Sequence, residues 1–275
     1  MMKKLLKYDL KSLSRVFLPV WILVPVMAIF LGMGLNEAVK DSGTYIAYDF
    51  NILLVLSGIV FVAVMMAMLV MTILFVIQRF WNGLLKDEGY LMFTLPVTTR
   101  ELIISKAIAA EIVSVISIVA GIAALVILSG MSLSPVDVLS VRFWFLWQNN
   151  TLLTNAQIAV TVTLSILGVM CGLLQTIYKV YAAMALGQFM EAHRVMGSVI
   201  AYIGISIVNS SVMAAVADAF NMVMKMLGIQ WDLVYMTGFR GQIISLAIMS
   251  VVSLIWVVVY HIVTEYVLEK KLNLE

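Results

Sequence analysis

Charged side chains are scarce in this sequence: Asp, Glu, Lys and Arg make up 12% of the 275 residues, while 63% are hydrophobic. A water-soluble globule of this length could not hide so much apolar surface beneath so few charges. The chain is expected in lipid. Cysteine is nearly absent, and the single Cys171 lies in an apolar stretch, which excludes an intrachain disulfide and the Cys-His spacings of a zinc site. No one sign of charge dominates either. The 17 basic and 15 acidic residues leave a net charge of +2, which gives no reason to expect a nucleic-acid partner. No Gly-Lys-Ser or Gly-Lys-Thr occurs, so no Walker phosphate loop can form. Glu191-Ala192-His193 lacks the second histidine of a zinc protease, and no Gly-x-Ser-x-Gly elbow is found, which argues against hydrolase chemistry. The chain is accordingly read as not an enzyme, with no cofactor or metal of its own.

What the sequence does have is long apolar runs. Crossing about 30 Å of hydrocarbon takes roughly 20 apolar residues in a helix, and lipid leaves few alternatives to a helix. Six stretches qualify, at 16–35, 52–77, 107–129, 156–178, 195–217 and 243–264. The expected fold is all-α, a polytopic integral membrane protein forming one transmembrane domain over 1–275. The N-terminus begins basic and then apolar, as a secretory signal does, but its apolar run of about twenty residues has no convincing cleavage site and reads as a retained anchor.

Lys and Arg are kept on the cytoplasmic side of a membrane, whereas acidic residues weigh little. With the N-terminus inside, Lys3, Lys4, Lys7, Lys11, Arg15, Arg79, Lys86, Arg100, Lys106, Lys179, Arg194, Lys270 and Lys271 fall in the cytoplasm, thirteen of the seventeen. Both termini are then cytoplasmic. Trp144, Trp147 and Trp231 fall in outer segments, where amphipathic rings suit the membrane boundary. Within 1–15, Leu6, Leu10 and Leu13 share a helical face with Phe17, while Lys3, Lys7, Lys11 and Arg15 line another. That pattern predicts an N-terminal amphipathic interfacial helix, the alternative being flanking charges that only fix topology.

The segment 78–106 is the longest one expected in the cytoplasm, and it mixes charge with aromatics. Pro96 ends any short helix through Tyr90 and Phe93. Thr98 followed by Glu101 is a capping box that starts a new helix near Thr99, well before the third apolar run. A short helix, a proline break and a rigid rod make a lever, although an ordinary solvated loop would also carry such residues.

The run Asp87-Glu88-Gly89-Tyr90-Leu91-Met92-Phe93-Thr94-Leu95-Pro96, followed by Arg100 to Lys106, resembles the DEGYLxFTLPVS…SK signature of bacterial type-2 ATP-binding-cassette (ABC) exporter permeases, with Thr98 where serine is frequent. The overall plan is similar too: a basic N-terminal helix, six spans and both ends inside. The resemblance implies that residues 84–101 contain a coupling helix that docks on a separate cytosolic ABC ATPase. Asp87, Glu88, Gly89, Tyr90, Phe93, Thr94, Pro96 and Arg100 are then the ATPase-coupling residues. It further implies a second permease subunit, identical or related, in a bacterial cytoplasmic membrane, with ATP and Mg on the ATPase. Cargo is left open, because the signature marks a broad family. A membrane scaffold or sensor that binds a partner without transport, and a secondary carrier, remain as alternatives.

Other features read less sharply. In the outer segment 218–242, Asp218 is a potential cap of a short helix through Met226 that Gly228 would stop, and re-entrant helices or a surface loop both fit. Glu111 is placed about one turn inside the third span, within reach of the inner interface. His261 and Glu265 are four apart and share a helical face. No span carries a charge at its centre, which counts against a secondary carrier. Gly168 with Gly172, and Gly197 with Ala201, have small-residue spacings that allow helices to approach closely. The twenty methionines suit flexible packing better than a cargo path.

Overall fold

The computed structural model describes residues 2–41, 52–85, 98–132, 155–190, 193–226 and 239–270. These form six α-helices: α1 (Met2–Asp41), α2 (Ile52–Phe80), α3 (Thr99–Ser132), α4 (Asn155–Gly187), α5 (Arg194–Met226) and α6 (Phe239–Lys270), with a π-helical turn, Trp81–Leu85, directly after α2. Among the described residues there is no strand. All six helices contain stretches long and apolar enough to cross a membrane, from 20 residues in α1 to 31 residues through α2 and the π turn. This is the architecture of a multi-pass helical membrane protein.

Every helix, with the π turn counted as part of α2, is longer than its apolar run. Hydropathy marks the part that lipid would surround, whereas the backbone goes on satisfying its own hydrogen bonds beyond it. α1 passes without a break from Met2 through Pro19 and Pro25 to Asp41, so no gap separates an N-terminal amphipathic piece from the first span. Where side chains are described, Leu13 and Phe17 are buried while Lys11 and Arg15 are exposed; the side chains of 1–10, on which the amphipathic reading mostly rests, lie outside the described residues. α5 continues through Asp218 to Met226. Asp218 therefore lies inside a helix and does not cap a new one, because Asn221, Met222 and Met226 extend the helical run past it. Trp144, Trp147 and residues 227–238, Trp231 among them, lie outside the described residues.

By contacts the chain divides into two units. Residues Met1–Val76 and Ile108–Asn150 make the first, Ile77–Ala107 and Thr151–Glu275 the second. In lipid the hydrophobic effect does not draw helices together, so packing and interhelical hydrogen bonds must. The first unit has both. Phe17 meets Phe75 edge-on at 5.4 Å in a cluster with Leu13, Ala109 and Val113. Val24, Ala28, Phe61, Met68 and Ala124 form a second cluster. A polar node joins the three helices: Trp21 Nε1 donates to Ser117 Oγ at 3.0 Å, and the Ser117 and Thr72 hydroxyls are 3.1 Å apart. Such bonds are worth roughly 0.6 kcal/mol each in a membrane.

In the second unit α4 packs along both α5 and α6. The turn from α4 to α5 is exceptionally close. A Cβ on Gly187 would run into Ser198, side chain and backbone alike, and one on Gly197 would sit 2.7 Å from the Gly187 carbonyl oxygen. Gly197 is thus a packing glycine, as its spacing suggested. Of the other pair, Gly168 approaches Ser250 of α6, whereas a Cβ on Gly172 would meet nothing within 4 Å.

Candidate functional site

Asp87, Glu88, Gly89, Tyr90, Phe93, Thr94 and Pro96 lie outside the described residues. The site is defined by the two rims between which they fall. On the incoming rim, α2 ends at Phe80, which is fully buried and stacks on Tyr181 of α4, with ring centroids 4.2 Å apart and planes inclined by 20°. The π turn follows, and its Gly83, Leu84 and Leu85 are buried. A π turn widens the helix by one residue and recurs at functional positions.

On the outgoing rim, Thr98 caps α3. Its hydroxyl oxygen accepts from the Glu101 amide at 3.3 Å, and its carbonyl accepts from Leu102 N at 3.2 Å. The helix starts at Thr99, where the capping pattern placed it. Arg100 and Glu101 are exposed, and burial begins at Leu102 and continues through Ile103, Ser105 and Lys106. Ser105 donates back to the Leu102 carbonyl at 2.9 Å, so its hydroxyl is satisfied within the helix.

The rims touch each other. A Cβ on Gly83 would lie 3.2 Å from Cε and 3.3 Å from Nζ of Lys106, so the lysine stem runs across the bare face of the π turn. Lys106 is only 2% exposed. The ammonium is therefore enclosed together with its methylenes, a burial that a charged group tolerates only with polar partners. Segment 86–97 is thereby bracketed by two anchor points in contact.

Arg100, the one coupling residue of the sequence reading that is described, forms an ion pair with Glu265 near the end of α6, 165 residues away, at 3.1 Å. His261 and Glu265 do share a face, with Nε2 3.6 Å from Oε2. The His261 ring meets Tyr178 of α4 edge-on at 5.5 Å, and Tyr178 meets Tyr181 at 6.1 Å. The contacts form an unbroken sequence, Phe80, Tyr181, Tyr178, His261, Glu265 and Arg100, from one rim round to the other. Sequence reasoning marked only Arg100, His261 and Glu265 among these. Phe80, Tyr178 and Tyr181 belong to no motif or spacing in the sequence that would distinguish them.

Glu111 departs from its expected place. It is 7% exposed, and neither carboxylate oxygen has a hydrogen-bond partner, so the side chain turns inward instead of reaching out to an interface. Among the described residues no cluster of three His, Cys, Asp or Glu side chains is placed to hold a metal. Comparison with protein-family models, with curated proteins and with solved structures finds no match.

Proposed function

We propose that the chain is the membrane-spanning permease subunit of an ABC exporter, working beside a second permease subunit and driven by a separate cytosolic ATPase. The observation that carries this reading is the contact of the two rims, Gly83 against Lys106, around the segment whose residues resemble the permease signature. A segment whose flanking helices are held together at Gly83 and Lys106 hands on a push, whereas one between unconnected helices would absorb it. The incoming end is fixed to α4 through Phe80, and the outgoing end is the first turn of a 34-residue helix.

The mechanism is mechanical. ATP binds the closed pair of ATPases more tightly than the open pair, and this differential affinity is the free energy that shifts the membrane helices between states. Tyr90 and Phe93 are three apart, a spacing that in a helix would give both to one groove on the ATPase. Asp87 and Glu88 supply charge at its start. The chain would sit in a bacterial cytoplasmic membrane with both termini inside, in accord with the distribution of its basic residues.

The test is to purify the chain alone and from its native membrane. Alone it should neither bind nor hydrolyse ATP; from the membrane it should bring with it an ATPase subunit whose turnover depends on this chain. ATP hydrolysis by the isolated chain, or a partner ATPase whose turnover ignores it, would overturn the reading. Binding of a partner without any ATP-driven flux would point instead to a scaffold.

A further inference from the structure

Arg100 is the second residue of α3, directly after the bracketed segment. Its Nε lies 3.1 Å from Oε1 and 3.3 Å from Oε2 of Glu265, and Nη2 lies 3.2 Å from Oε2. Two adjacent nitrogens facing two oxygens is the fork arrangement of a guanidinium on a carboxylate, which fixes direction as well as distance. Most ion pairs at exposed positions matter little, since ordering two long side chains cancels the attraction. Two features set this one apart. The Glu265 side chain is only 17% exposed against 63% for Arg100, so the acceptor is held by its surroundings and the arginine docks onto it. His261, one turn earlier, flanks the same carboxylate, and its ring is braced against Tyr178.

We propose that Glu265 is a positioning residue for the start of α3, and that its fork with Arg100 makes the first turns of α3 move with the end of α6. The incoming rim is already fastened to α4 by Phe80 on Tyr181, and α4 packs along α6. Both ends of the segment are therefore attached to the same helix pair, one through an aromatic stack and the other through an ion pair. A push on the segment moves the first turns of α3 away from α6 only if the fork breaks; with the fork intact, the start of α3 and the end of α6 move together. The exporter reading supplies what delivers the push, and the clasp itself stands without it.

Two readouts separate these parts. Spin labels at Glu101→Cys and Glu269→Cys, both exposed positions, in a Cys171→Ser background, report the distance between the ends of α3 and α6 in the full chain in lipid nanodiscs. The expected result is a narrow distribution that broadens in Glu265→Gln and narrows again in the charge swap Arg100→Glu with Glu265→Arg. In complex with its ATPase, Glu265→Gln should still assemble but lose turnover by about fivefold, recovered in part by the swap. If no ATPase assembles with the parent chain, the exporter reading fails and the distance measurement alone decides the clasp. An unchanged narrow distribution in Glu265→Gln, or a swap no better than the single change, would overturn the proposal.

Discussion

Single residues in this molecule matter where backbone or ring packing leaves no slack. Gly187→Ala forces a methyl into the Ser198 backbone, and overpacking of this kind costs about 1–3 kcal/mol. Thermal unfolding in detergent should show it as a clear loss of stability. Gly172→Ala, whose added methyl meets nothing within 4 Å, should leave the midpoint unchanged or raise it, because alanine favours the helix over glycine. Equal midpoints for the two variants would remove the close approach of α4 and α5. Tyr90 and Phe93 belong to the same scale in the exporter reading. Truncating an aromatic anchor at an interface costs on the order of 2 kcal/mol, about thirtyfold in affinity. Tyr90→Ala and Phe93→Ala should each weaken co-purification with the ATPase while membrane insertion persists, with Trp147→Ala as the outer-segment control. Retained assembly in both would make 86–97 an ordinary connector.

Helix ends decide what each element can transmit. Thr98→Ala removes the hydroxyl that receives the Glu101 amide, and losing an N-cap costs about 1 kcal/mol. Hydrogen exchange at Glu101 should speed up by roughly fivefold, with Thr98→Ser restoring protection; protection unchanged in the alanine variant would show that burial, and not the cap, sets the start of α3. This start was legible in the sequence because Thr98 and Glu101 act over three residues, and the six spans were legible because lipid demands long apolar runs. The rest depended on distance along the chain or on subtle local geometry. Arg100 and Glu265 are 165 residues apart, and no local pattern couples them. Phe80 looks like one more apolar residue until Tyr181 stacks on it. The π turn at Trp81–Leu85 has no periodicity of its own to betray it, since five residues are too few. Asp218 misled because a capping residue flanked by helix-forming alanines, Ala217 and Ala219, can equally continue a helix already under way.

For the whole molecule, the charge distribution makes a direct prediction about sidedness. In a Cys171→Ser background, single cysteines at Asp41 and Asp137 should react with an impermeant maleimide added to intact cells, and one at Asp87 should react only after lysis. Labelling at Asp87 in intact cells would reverse the proposed orientation and remove any cytosolic partner from that segment. The division into two units adds a matter of timing. Residues 77–107 belong with 151–275, yet the ribosome makes them first. At about 5–20 residues per second, Arg100 leaves the ribosome roughly eight to thirty seconds before Glu265 exists to receive it, and Phe80 likewise precedes Tyr181. During synthesis the rims of the segment thus stand without their final neighbours, and a chain halted after Asn150 carries a finished first unit beside an unfinished second. Such nascent chains hold the Phe80 ring without Tyr181 and the Arg100 guanidinium without Glu265, so the two flanks of 86–97 reach their final contacts only when α4 and α6 have been made.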